Sequence, residues 1–151
     1  MRNVTGKSNS LKNFRRIVLP VDGSTGAERA AKKALTLAKE TGVDVLAMYV
    51  VDDSGPTYPE FIAWYTDMIK SEKNYGISVL DKIKKMGSKN SVNVVTKLVR
   101  GHPDQEIIKE ARKNDLIVMG CKGRSALNSI LVGSVCEKVL HHSSSPVMMI
   151  R

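Results

Sequence analysis

Cysteine, aromatic residues and long apolar runs are all scarce in this chain. Only two cysteines, Cys121 and Cys136, occur in 151 residues. They make no C-x-x-C pair, and no Cys/His cluster shows zinc spacing, so neither a dithiol motif nor a sequence-local zinc site is written here. Aromatics are 5% of the chain, with a single tryptophan. The longest apolar run, Val45–Val51, is far too short to cross a bilayer. The N-terminus is basic but lacks the apolar stretch of a signal peptide, so the expected location is the cytoplasm. Acids are absent from residues 1–16, which hold Arg2, Lys7, Lys12, Arg15 and Arg16 and account for five of the nine net positive charges. A basic tail of this kind can hold polyanions without specificity. It lacks interleaved aromatics, and nucleic acid is the least favoured partner. The reading preferred is a polar flexible tail over residues 1–13, followed by one domain over 14–151.

Catalytic signatures are missing as well. There is no G-x-x-x-x-G-K-[ST] and no G-x-G-x-x-G after the first strand, which argues against a Walker-type NTPase and a dinucleotide site. There is no G-x-S-x-G elbow and no H-E-x-x-H. His102 stands apart, and His141 and His142 suit a helix C-terminus, where a positive charge meets the negative end of the dipole.

What is present is ordinary globular composition, 42% apolar and 26% charged, arranged in alternating strands and helices. Ile17–Val21 predicts a strand ending near Pro20. Ser24 or Thr25 caps a helix whose face is Ala27, Ala30, Ala31, Ala34, Leu35 and Ala38, with Gly42 as its stop and Thr25/Glu28 as a capping box. Val45–Val51 predicts a strand covered on both faces. After a Gly/Pro loop to Pro59 comes a long helix, with Phe61, Tyr65, Met68, Tyr75, Val79, Ile83 and Met86 as its stripe and Gly76 as a bend. Trp64 is expected in the core or in a lid. Val92–Val99 alternates as an edge strand does. Pro103 opens a helix, Leu116–Met119 is a buried strand, a helix runs from about Ser134 to His142, and Pro146–Ile150 is a last strand. This βα alternation predicts an α/β fold with a parallel, doubly wound sheet, whose ligands lie at the carboxyl ends of the strands where strand order reverses.

Most informative is the segment after the fourth strand. It carries Gly120 and Gly123, nine residues from Arg124 to Val132, and then Gly133-Ser134-Val135, in the pattern G-x2-G-x9-G-S. A strand, a glycine loop and a helix start together form a phosphate cradle. With Asp22 after the first strand, the pattern resembles the universal stress protein family in its ATP-binding branch. Further parts of the likeness are Ile17–Ser24, Tyr49–Asp52, Gly101-His102-Pro103, Asp115–Gly120, Gly133–Leu140 and Ser145-Pro146-Val147. The resemblance implies a five-stranded parallel sheet of order 3-2-1-4-5 and a homodimer paired through the last strand. It implies that Pro20, Val21 and Asp22 line the nucleoside, that Val50 contacts adenine, that Met119, Gly120 and Gly123 form the phosphate loop, and that Gly133, Ser134 and Val135 close over phosphates and ribose.

Alternatives stand beside several of these roles. Lys122 and Arg124 are read as phosphate contacts against a plain solvated loop. The glycines could serve only turns at positive φ. Ser134 begins a capping-box sequence, so its hydroxyl could cap the helix instead of holding phosphate. Asp22 could be a turn former. Cys136 is expected in the core and Cys121 in the exposed loop. Magnesium would come with ATP through phosphate oxygens and water, with no dedicated protein cage. No residue stands out to position an attacking water, so the site reads as one that binds ATP, with slow hydrolysis as the alternative. A third reading is a dimeric docking module without nucleotide. Residues 53–68 are expected to order over bound nucleotide, and a downstream protein partner of unspecified kind is implied.

Overall fold

The computed structural model describes residues 14–56, 58–121 and 132–151. The predicted tail of residues 1–13 and the loop residues Lys122, Gly123 and Arg124 lie outside the described residues. The elements are β1 (Arg16–Pro20), α1 (Thr25–Thr41), β2 (Asp44–Asp52), α2 (Ile62–Lys89, entered through a 3-10 turn at Pro59–Phe61), β3 (Val94–Gly101), α3 (Pro103–Glu110), β4 (Leu116–Gly120), α4 (Ser134–His142) and β5 (Val147–Ile150). The five strands form one sheet in the order β3-β2-β1-β4-β5, every pair parallel. This is the order expected.

Residue parity along the strands sorts the core into two layers. Ile17 and Leu19 of β1, Val45, Ala47 and Tyr49 of β2, and Val118 of β4 meet α1 and α2 on one face. Val18, Met48, Ile117 and Met119 meet α3 and α4 on the other. Strands buried on both faces need no polar alternation, which is why β1, β2 and β4 read as continuous apolar runs. The expected α1 face is buried in full, and five of its six positions are alanine, so helix and sheet pack closely. Ser24 is its N-cap, accepting the Ala27 N–H at 3.1 Å, and Gly42 ends it in the left-handed region at φ 74°. Of the two cap residues considered, Ser24 therefore has the role, and Thr25 is the first helical residue.

The expected stripe on α2 requires correction. Ile83 of that stripe is buried and Val79 and Met86 pack against the core, but Phe61, Met68 and Tyr75 are exposed, and the other buried positions are Gly76, Leu80 and Gly87. Trp64 is 61% exposed and belongs neither to the core nor to the cavity described below. Two of the four sheet contacts are glycines, which a hydrophobicity pattern does not register. Gly76 does not break α2; the helix runs through it. A Cβ there would stand 2.5 Å from the ring of buried Tyr49. Gly76→Ala would gain up to about 1 kcal/mol of helix propensity but would overpack that ring at a cost of roughly 1–3 kcal/mol. The expected outcome is a net loss, read as a melting temperature several degrees lower.

β3 begins two residues later than the sequence pattern suggests. The C-terminus of α2 closes in a paired turn in which Ser91, at φ 58°, donates to the Ser88 carbonyl and Val92 donates to the Gly87 carbonyl. Val92 is consumed by that turn and buried under it. β3 is an edge strand, as its alternation implies.

Arg15 and Arg16, counted with the basic tail, are structural. Asp115, with no exposed surface, accepts from Arg15 Nε at 3.2 Å, from Arg16 Nε at 3.0 Å and from the Arg112 N–H at 3.0 Å. Arg16 also pairs with Glu110 at 3.1 Å. The group fastens the start of β1 to the start of β4. Burial pushes the Asp115 carboxyl up, but the Arg112 N–H and the two guanidinium groups outweigh it and hold it below its ordinary 3.8.

Candidate functional site

β1 and β4 are neighbours, and the chain leaves them in opposite directions: α1 packs on one face after β1, and α4 on the other after β4. The carboxyl ends of the two strands therefore flank a cleft. It opens into a cavity of about 560 Å³. Pro20, Val21, Asp22, Val50, Met119, Gly120, Gly133, Ser134 and Val135 all line it. Every predicted site residue that is described is thus gathered at one place, from the ends of three strands and one helix.

The two helix starts at this cavity differ. At α1 the Ser24 hydroxyl serves a first-turn N–H, and Asp22 Oδ1 accepts the Ser24 N–H at 2.9 Å, so Asp22 forms the turn and also faces the cavity. At α4 the N-cap is Gly133, which offers no side-chain cap bond, and Ser134 is already the first helical residue. The capping role considered for Ser134 is therefore not the one it has. The first-turn N–H groups of α4 point from an end with no capping side chain, where the helix dipole favours an anion.

The glycines separate by physical cause. Neither Gly120 nor Gly133 has positive φ, so the turn explanation fails for both. A Cβ on Gly120 would lie 2.7 Å from the Gly26 carbonyl carbon and 3.0 Å from the Ala27 nitrogen. Gly120 is required by close packing of β4 on the first turn of α1. Gly133 sits at φ −62°, ψ 144°, which any L residue adopts.

Between these two ends the wall is apolar. Met48 and Ile107 line it beside Val21, Val50 and Met119. Met48 shares its strand face with Val50, so period-two counting would have found it. Tyr49 and Glu72 also line the cavity, joined by a 2.5 Å hydrogen bond from the phenol to Glu72 Oε1. Met68, Ile69 and Glu72 bring α2 to the site, and no motif signals them. Among the described residues, Met68 is the one cavity residue within the segment expected to act as a lid. Cys121, expected to be exposed, is buried: its N–H donates to the Ile150 carbonyl at 2.9 Å and its carbonyl accepts the Gly133 N–H at 2.7 Å, extending β4 beyond its last ladder residue. Cys136 is buried as expected.

At the rim, Asp52, Asp53 and His102 bring ligand-type atoms within 4.8 Å of one another. The Ser54 hydroxyl donates to Asp52 Oδ1 at 2.5 Å and lies 3.0 Å from His102 Nδ1, and Asp53 is 3.8 Å from Arg100. Burial pushes the Asp52 carboxyl up, but the Ser54 hydroxyl and N–H, with His102, hold it below its ordinary value. These partners account for the three exposed side chains without a cation. No helix among the described residues is long and apolar enough to cross a membrane.

Comparison with known proteins bears on the same region. The family model described as the universal stress protein family matches residues 13–151. Universal stress protein MJ0531 of Methanocaldococcus jannaschii is 38% identical over 143 residues, covering 91% of this chain and 82% of the relative. The structure of UspA from Lactobacillus plantarum superposes with a TM-score of 0.85 at 26% identity, covering 92% of this chain and 99% of that one. A universal stress protein from Archaeoglobus fulgidus, solved in complex with dAMP, shares the fold at a TM-score of 0.57 and 24% identity, covering 92% and 99%. The strand order, the cleft between β1 and β4 and the family match over residues 13–151 agree: the chain belongs to the universal stress protein family.

Proposed function

We propose that the cavity binds ATP and that the protein is a nucleotide-responsive regulatory module of the stress response, acting in the cytoplasm. The observation that carries this reading is the contrast between the capped start of α1 and the start of α4, which has no side-chain cap and faces the same cavity. Phosphates would accept from the first-turn N–H groups of Ser134 and Val135. The base would lie against Val21, Val50 and Met119, and Asp22 would face the ribose. Lys122, Gly123 and Arg124 join this reading by sequence alone, and magnesium would enter through the phosphate oxygens. The Archaeoglobus fulgidus fold relative in complex with dAMP is consistent with an adenine nucleotide. A homodimer through β5 belongs to the same proposal, since β5 is a sheet edge with Met148 and Met149 each 38% exposed, and an apolar edge favours pairing.

Gly133→Asp tests the phosphate site without undermining the fold. Aspartate is a favoured N-cap, so the helix is expected to keep or gain stability. Its carboxylate would compete for the N–H groups and repel the phosphates. Calorimetric titration with ATP and magnesium is expected to show one saturable site in the wild type and at least about tenfold weaker binding in the variant, a difference of roughly 1.4 kcal/mol. Equal affinity in the two proteins, or no binding by the wild type, contradicts the proposal.

A further inference from the structure

Two cysteines line the cavity at its proposed phosphate end. Cys121 directly follows β4, and Cys136 lies in the first turn of α4, three residues after Gly133. The backbone already joins these ends through the Gly133 N–H and the Cys121 carbonyl at 2.7 Å. Both cysteines are free, 6% and 2% exposed, and both line the cavity. Their side chains are hydrogen-bond neighbours: burial, and then the Cys121 thiol beside it, push the Cys136 thiol up to about 11.

We propose that Cys121 and Cys136 are an oxidation site, closing to a reversible disulfide under a hydroperoxide and thereby weakening nucleotide binding. The regulatory half rests on the nucleotide reading above. In the first step the Cys121 sulfur attacks the terminal peroxide oxygen, the O–O bond breaks, and Cys121 becomes a sulfenic acid while the peroxide leaves as an alcohol or water. In the second, the Cys136 sulfur attacks the sulfenic sulfur, the S–S bond forms, and the sulfenic oxygen departs as water with the thiol proton. Two electrons, one from each sulfur, reduce the peroxide. Exchanging the roles of the two sulfurs gives the same disulfide and the same water. A small dithiol returns the pair to thiols by exchange.

The geometric consequence follows from bond length. A disulfide sets its sulfurs about 2.05 Å apart, well inside any hydrogen-bond contact. Closure is expected to draw the first turn of α4 toward the end of β4. Ser134 and Val135 ride on that turn, so the N–H groups that would hold phosphate turn away from their binding geometry.

The full chain is treated with hydrogen peroxide, denatured and alkylated, and its intact mass is taken. The expected result is a monomer that has lost two hydrogens and accepts no alkyl group, with a cross-linked peptide joining Cys121 to Cys136 and full recovery of both thiols in dithiothreitol. Cys136→Ser is expected to give no intramolecular cross-link and an ATP affinity that peroxide does not change. Oxidised wild type is expected to bind ATP about tenfold more weakly than reduced. Two alkylatable thiols persisting after peroxide, or a disulfide with unchanged ATP affinity, overturns the proposal. Absence of ATP binding in both redox states defeats the nucleotide reading and the regulatory half together. The thiol count, read without nucleotide, still decides whether the pair closes.

Discussion

Asp115→Ala is expected to remove about 3 kcal/mol of stability, the cost of breaking a buried ion pair by deleting one partner. The carboxylate has no exposed surface, and its loss leaves the Arg112 N–H without its acceptor and Arg16 with Glu110 alone. Arg15 is 48% exposed and can turn to water, so Arg15→Ala is expected to cost less than about 1 kcal/mol. For a chain of this size the Asp115 variant should melt roughly 6–12 °C lower. The pH dependence has a definite sign. The Asp115 and Glu110 carboxyls are held below their ordinary 3.8 and 4.5; burial opposes this, but Arg112 and the two arginines at Asp115, and Lys97 and Arg16 at Glu110, prevail. The stability they supply is complete above those ordinary values and is lost as pH falls through the lower folded ones. Thermal melts from pH 7 to pH 3 should therefore drop steeply below about pH 4.5 in the wild type, and less so in Asp115→Ala. Parallel curves would show that Asp115 is not ionised in the folded protein.

Gly120→Ala is the second large effect. The added carbon meets backbone, at 2.7 Å from Gly26 and 3.0 Å from Ala27, and backbone cannot rotate aside as a side chain does. Overpacking of this kind costs typically 1–3 kcal/mol. Separation of β4 from α1 also widens the cleft between the proposed nucleoside and phosphate ends. Gly120→Ala is thus expected to lower both the melting temperature and ATP affinity, whereas Gly133→Asp lowers affinity alone. A Gly120→Ala protein that melts with the wild type would show that the α1 contact is loose, and Gly120 would lose its packing explanation.

These two residues also show what could be read in the chain. Strand order and the convergence of Pro20–Asp22, Val50, Met119–Gly120 and Gly133–Val135 were legible, because apolar runs and glycine spacing are local patterns and parallel topology places strand ends together. The buried carboxylate was not. Asp115 and its arginines are separated by about a hundred residues, and charge counting placed Arg15 and Arg16 with a tail. The contribution of α2 was misread for a different reason. Its sheet-facing contacts at Gly76 and Gly87 carry no hydrophobicity, so the visible stripe found Val79, Ile83 and Met86 but also ran through Phe61, Met68 and Tyr75, which the structure exposes. Met48, Ile69 and Glu72 entered the site through strand parity and helix packing instead of a motif. Burial of Cys121 depended on a hydrogen bond to Ile150 that no nearby residue announces.

Native mass spectrometry of freshly purified protein tests the central claim most directly. The account predicts a population carrying the mass of an adenine nucleotide, restored by added ATP in the stripped wild type and much reduced in Gly133→Asp. A bare chain mass that added ATP and magnesium do not shift would contradict it.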